Sequence, residues 1–220
     1  MKNDNILKEF SDIWTDDAIA IHVQNNLKEY QAKTGKTLEF PIYPDEIAET
    51  LFDISFEYPR HVFDPLGIEV LASFDPNKKI IRINDSLKGS KGRVSFTIAH
   101  ELAHASMHSF MIPIYCNTQV DKRSLRIIEK QADKYASILL MPKNLMITTI
   151  QSFVGRGLPI DLDLISPKLI PILQVSRQAL EIRLGNLGYQ LLNSRYGVSY
   201  ERTHERIFLE LEEERQTRKI

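Results

Sequence analysis

The segment Ala99–His108 reads Ala-His-Glu-Leu-Ala-His-Ala-Ser-Met-His, three histidines and a glutamate within one helical stretch. His100 and His104 are spaced i, i+4. At about 100° per residue they share one helical face, one turn apart, near enough to grip a single cation. Glu101 turns away from their common axis. That makes it a poor third ligand but a suitable general base for a water held by that cation. The chemistry implied is metal-assisted hydrolysis. Five residues of an ordinary surface helix can carry the same letters, so the reading turns on a third ligand downstream.

Two arrangements can be tested on the letters. One needs a glycine three residues after the second histidine and another histidine three residues further on. Met107 and Phe110 stand there, so it fails. The other takes a glutamate from the next helix, and Glu129 fits, with Asp133 one turn later on the same face. An acid at Asp133 can accept a hydrogen bond from a ligand imidazole and fix its tautomer. Two histidines and one carboxylate leave a fourth tetrahedral position for water, as a catalytic zinc site requires. One Zn2+ is the expected ion; Mn2+ or another divalent ion suits similar donors. His108, on the face of His100 and His104, is a rival ligand or a substrate contact. Cys116, between the two helices, reads as a structural thiol rather than a ligand.

The elements that must position these residues follow an α+β order. Thr15 before Asp16 and Asp17 marks a helix start, with apolar residues continuing to Tyr30. Pro44-Asp45-Glu46 starts a short helix through Leu51. Ile54–Tyr58, Ile68–Phe74 and Ile80–Asn84 are β-rich, with a turn at Asp75-Pro76-Asn77, and together suggest a small antiparallel sheet. After a loop at Asp85–Gly92, a helix over Arg93–His108 carries Phe96, Ile98, Ala99, Leu102 and Ala103 as its apolar side. Ser124 is placed to cap a helix over Leu125–Leu140, ending before Pro142. Pro142 opens a helix to Phe153, and Gly155–Pro167 reads as loop. Beyond it lie two short helices, a small ribbon around Tyr189–Ser194, and a charged C-terminal helix with Glu210–Glu214 and Arg215.

Bulk properties narrow the field. The 220 residues are 43% hydrophobic and 26% charged, an ordinary globular balance. A formal charge of −1 argues against coating nucleic acid through bulk positive charge. The single cysteine forms no internal disulfide, which fits a reducing compartment. With no signal-like apolar core at the N-terminus and no run long enough to span a bilayer, the expectation is a soluble, cytoplasmic protein without membrane contact.

Several blocks now resemble the ImmA/IrrE family of metallopeptidases. They are Ile81–Asn84; Arg93 with Phe96-Thr97-Ile98-Ala99-His100-Glu101-Leu102-Ala103-His104 and the following His108; Glu129 to Ala136; Leu139-Leu140-Met141-Pro142; and Val175-Ser176-Arg177-Gln178-Ala179-Leu180 through Arg183-Leu184 to Leu187-Gly188-Tyr189. The resemblance covers about residues 44–190. Ala103 replaces the usual glycine and Tyr135 the usual phenylalanine, neither at a position that supplies chemistry. The resemblance implies metal binding at His100, His104 and Glu129 and catalysis by Glu101. It also implies a zincin-like catalytic domain, placed over 41–156. Residues 1–40, an N-terminal helical extension, and the tail after about Tyr200 fall outside the resemblance, and 157–220 is expected as a helical, helix-turn-helix-like C-terminal region. From the resemblance alone comes the partner: a helix-turn-helix repressor, whose cleavage derepresses mobile-element or stress-response genes.

Val175-Ser176 and the helix Arg177–Leu187 could also be the second half of a helix-turn-helix, with Arg177 and Arg183 meeting phosphate or acidic side chains. An ordinary helical hairpin is the alternative. A DNA-binding regulator keeping zinc for structure, and a hydrolase of small molecules, are the rival classes.

Overall fold

The computed structural model describes residues 13–64, 67–109, 122–153 and 159–194. The expectations for Cys116, Phe110, the first part of the loop after Phe153 and the charged C-terminal helix fall outside the described residues. The chain forms two compact units, one of 1–142 with 173–175, the other of 143–172 with 176–220. Among the described residues, no helix is long and apolar enough to cross a membrane.

The first unit opens with helix α1, Asp16–Thr34. Thr15 caps it by accepting a hydrogen bond from the Ala18 amide, and two acids occupy its first turn, opposing the positive end of the helix dipole. Gly35, at φ 69°, ends it in the left-handed conformation that glycine takes without strain. Ile19, Val23, Leu27 and Tyr30 recur at helical spacing and are buried. Helix α2, Pro44–Phe52, starts on its proline, whose missing N–H is one of the unpaired donors of a first turn anyway.

Strands β1 (Ser55–Glu57), β2 (Val62–Phe63), β3 (Glu69–Val70), β4 (Ala72–Asp75) and β5 (Ile80–Ile83) follow. β2 and β3 form their own antiparallel pair. The main sheet has the order β1-β5-β4, with β5 antiparallel to β4 and parallel to β1. The expected small antiparallel sheet is therefore mixed. The chain from β1 must pass through β2, β3 and β4 before β5 returns beside it, and no local pattern records that crossover. Ile81 and Ile83, on one face of β5, are wholly buried.

Helix α3, Lys91–Ala103, packs against β4 and β5. It continues as a π-type turn over His104–His108 in place of the regular helix expected there. Ala99 and Ala103 are wholly buried, and their small side chains let helix α4, Lys122–Leu140, approach α3 closely. Ser124 lies inside α4 and not at its start, because the helix is already formed at Lys122.

Gly92 sits in the first turn of α3, against the Gln174–Val175 backbone of the same unit. A Cβ there would lie 2.8 Å from the Gln174 carbonyl oxygen and 3.3 Å from two carbonyl carbons. In an open helix, glycine to alanine gains about 0.5–1 kcal/mol. Backbone on the other side cannot swing aside, so overpacking at about 1–3 kcal/mol wins here. Gly92→Ala is expected to lower the urea unfolding midpoint; a raised midpoint would contradict this contact.

The second unit contains α5 (Lys143–Phe153), β6 (Ile160–Asp161), α6 (most of Leu162–Leu173), α7 (Arg177–Asn186) and β7 (Leu191–Leu192). The loop expected over Gly155–Pro167 is overturned from Ile160 onward. Pro167 and Pro171 lie within α6, yet Leu162, Ile165, Leu169 and Leu173 are all buried. That apolar stripe at helical spacing outweighs the two lost backbone bonds. The ribbon expected within Tyr189–Ser194 is instead a parallel pairing of β7 with the distant β6. Ser176 caps α7 by accepting from the Ala179 amide.

Candidate metal centre

Helices α3 and α4 bring together residues 29 positions apart in sequence. From α3 and the π-type turn that continues it, His100 and His104 face α4, with their ring centroids 4.8 Å apart. From α4, Glu129 projects between them. Its Oε2 lies 3.1 Å from His100 Nε2 and its Oε1 3.6 Å from His104 Nε2, while the two Nε2 atoms are 3.1 Å apart. The three candidate ligand atoms lie within 4.8 Å of one another.

These separations test the donor set. A tetrahedral ion with bonds of about 2.0–2.1 Å sets its ligand atoms about 3.3 Å apart. The two Nε2 atoms, 3.1 Å apart, stand close to that spacing, and each imidazole meets a different oxygen of the Glu129 carboxylate. Two imidazoles and one carboxylate suit a divalent transition metal rather than Ca2+ or Mg2+, which favour all-oxygen shells. The Glu129 side chain is 56% exposed, so the cluster opens to solvent on that side.

The surrounding hydrogen bonds orient the donors. His100 Nδ1 donates to Asp133 Oδ1 at 3.0 Å, one turn beyond Glu129 on α4. That bond holds the ring with Nε2 toward the cluster. His108 does not join it. Its Nδ1 lies 3.2 Å from His104 Nδ1 and its Nε2 lies 3.2 Å from Gln131 Oε1, and the residue is 1% exposed. Burial also removes His108 as a substrate contact. Neither Gln131 nor Phe74, whose backbone amide donates to the Glu101 carboxyl, stands out in the sequence. A glutamine on an amphipathic helix looks like solvated surface, and a backbone amide carries no side-chain signal at all.

The electrostatics are those of a site holding a proton where a cation would sit. Burial disfavours the His100 cation, but hydrogen bonds to Asp133 and Glu129, and the charges of Glu101 and Glu129, outweigh it and push the ring up to about 10. Burial, reinforced by the neighbouring His100 charge, pushes His104 down to about 3. Burial raises Glu101 to about 7, with His100 and the Phe74 amide pulling the other way. The hydrogen bond from His100 holds Glu129 below the usual carboxylate range.

A metal must displace these protons. At pH 7, His100 is charged and Glu101 is about half protonated at its value of about 7. Uptake of one divalent ion at pH 7 is expected to release about one to one and a half protons. Affinity should then rise by about tenfold per pH unit above pH 7 and fall in acid. Calorimetry in buffers of different ionisation enthalpy reads the proton count; uptake without proton release would contradict the assignment.

A peptidase family model described as an IrrE N-terminal-like domain matches residues 61–208. No curated protein matches this sequence. Among solved structures, a Mycobacterium tuberculosis transcriptional regulator is similar at 17% identity and a TM-score of 0.53. The match covers 90% of this chain and 54% of that one, so the chain spans about half the length of that relative. At such an identity the likeness speaks for the mixed α+β fold alone.

Proposed function

This chain belongs to the ImmA/IrrE family, and from that premise we propose that it is a zinc-dependent endopeptidase that cleaves a helix-turn-helix repressor, derepressing mobile-element or stress-response genes. The observation that carries the reading is the convergence of His100, His104 and Glu129, whose candidate ligand atoms lie within 4.8 Å of one another, with Glu101 in the same helical turn. In this reading the first unit holds a zincin-like catalytic centre and the protein works in the cytoplasm, where a repressor would be met.

His100, His104 and Glu129 would hold the ion, with Asp133 orienting His100. When bound, zinc supplies Lewis-acid chemistry, polarising a carbonyl and bringing the pKa of a water to about 7. Glu101 accepts the proton of the attacking water on its carboxylate and returns it to the departing amide nitrogen. Its place in the fold suits that task, because the Phe74 amide at the sheet margin anchors the carboxyl. β4 ends the strand order β1-β5-β4, so its outer edge can accept an extended segment of substrate as an added strand.

A second reading, a DNA-binding regulator with a structural metal, draws on the α6–turn–α7 arrangement and on the similarity to a solved transcriptional regulator. The arginines weigh against it. Arg183 is 5% exposed and so is not presented to a phosphate backbone, and Arg177 is paired with Asp163 at 2.6 Å, an acid that competes with a phosphate for it. The test is co-expression with each helix-turn-helix repressor encoded nearby. A shortened repressor supports the peptidase; an intact repressor together with a shifted DNA duplex in a gel would support the regulator.

A further inference from the structure

We propose that the backbone carbonyl of Trp14 sets the tautomer of the metal-facing His104 through a relay of Gln131 and His108, both of which are positioning residues. The inference rests on the metal-site reading above and goes beyond it, since it concerns a segment that lies outside the family match at 61–208.

The Trp14 oxygen is the one group in the relay with no freedom, because a backbone carbonyl only accepts hydrogen bonds. Gln131 Nε2 lies 3.0 Å from that oxygen, so the amide group must point its NH2 there. The Gln131 Oε1 is then the atom 3.2 Å from His108 Nε2, and it too only accepts. His108 must therefore carry its proton on Nε2, which leaves its Nδ1 bare. The facing atom at 3.2 Å is His104 Nδ1, and two bare nitrogens would repel, so His104 Nδ1 bears the proton and donates it. His104 Nε2 is left with its lone pair directed at His100 Nε2 and Glu129, the ligand-ready tautomer.

The relay is shielded from competing water. His108 and Gln131 are 1% and 7% exposed. The start of α1 is fixed nearby by a second tie, Lys134 on α4 to Asp16. His100 gets the same service from Asp133, a short, directly bonded acid. For His104, the chain uses a neutral imidazole and an amide, and ends on a carbonyl about a hundred residues away in sequence. The π-type turn over His104–His108 is the local distortion in which the two facing Nδ1 atoms occur.

The test uses the full chain, stripped of metal, and zinc alone as the probe. Zinc affinity is measured by competition with a chromophoric chelator, and the fold of each metal-free variant by circular dichroism. His108→Ala is expected to weaken zinc binding by about 10- to 100-fold with the fold unchanged, and Gln131→Leu in the same direction by less. Zinc binding by a folded His108→Ala protein within about twofold of wild type would overturn the relay while leaving the metal site standing. Wild type that takes up no zinc would overturn both. Should His108→Ala fail to fold, nitrogen-15 spectra of the zinc-loaded wild type decide alone. A proton on His108 Nε2 supports the relay, and a proton on its Nδ1 overturns it.

Discussion

Glu101→Gln is expected to abolish cleavage while leaving metal uptake intact. Placing a general base in the transition state is worth about 10²- to 10⁴-fold, and an amide cannot take the proton. The replacement is nearly isosteric and can still accept from the Phe74 amide, so α3 should keep its place against the sheet. The carboxyl is also tuned for the role. Burial holds it at about 7 without a metal, and a bound cation would favour the ionised form and lower that value. The acid limb of the cleavage profile is therefore expected at or below about pH 7, with activity falling about tenfold per unit beneath it. The measurement is the initial cleavage rate of a purified repressor by zinc-loaded wild type and Glu101→Gln, across pH. Equal rates would end the proposed mechanism, whatever metal is found.

The ligand cluster is legible in the sequence because helices write their faces into their spacing. The i, i+4 histidines and the Glu129–Asp133 pair each define one face, and two such faces meet when small residues, Ala99 and Ala103, let the helices close. The capped start of α1 and the proline start of α2 are legible for the same local reason. What local pattern does not record is direction and distance. The parallel pairing of Ser55–Glu57 with Ile80–Arg82 depends on where the intervening strands lie. Pro167 and Pro171 signal a break, and only the burial of four leucine and isoleucine side chains shows why the helix tolerates them. Trp14 is a sharper case, because its contribution to the relay is a carbonyl oxygen that any residue would supply. His108 is visible as a third histidine of the motif, but its part depends on the π-type turn and on a glutamine across the helix pair.

Glu129→Leu is expected to remove metal binding while preserving the helix pair, the reverse of the separation made by Glu101→Gln. Outer-shell partners of metal ligands cost about 10- to 100-fold in affinity when removed, so loss of the carboxylate ligand itself should exceed the upper end of that range. Leucine is a good helix former, and the replaced side chain is 56% exposed, so α4 itself loses little. The metal-free protein does lose a carboxylate that sits beside His100 and helps hold its extra proton, so part of its stability near neutral pH goes with it. Thermal unfolding with and without zinc separates the two roles. An ion at a hundred times its dissociation constant stabilises the folded state by about 2.7 kcal/mol. Wild type and Glu101→Gln should both show that zinc-dependent rise in melting temperature, and Glu129→Leu should show none at the same concentration. If Glu129→Leu took up one zinc with a full thermal shift, the two imidazoles would be holding the ion with some other third donor. The carboxylate bridging His100 and His104 would then be a charge partner of the metal-free state rather than a ligand.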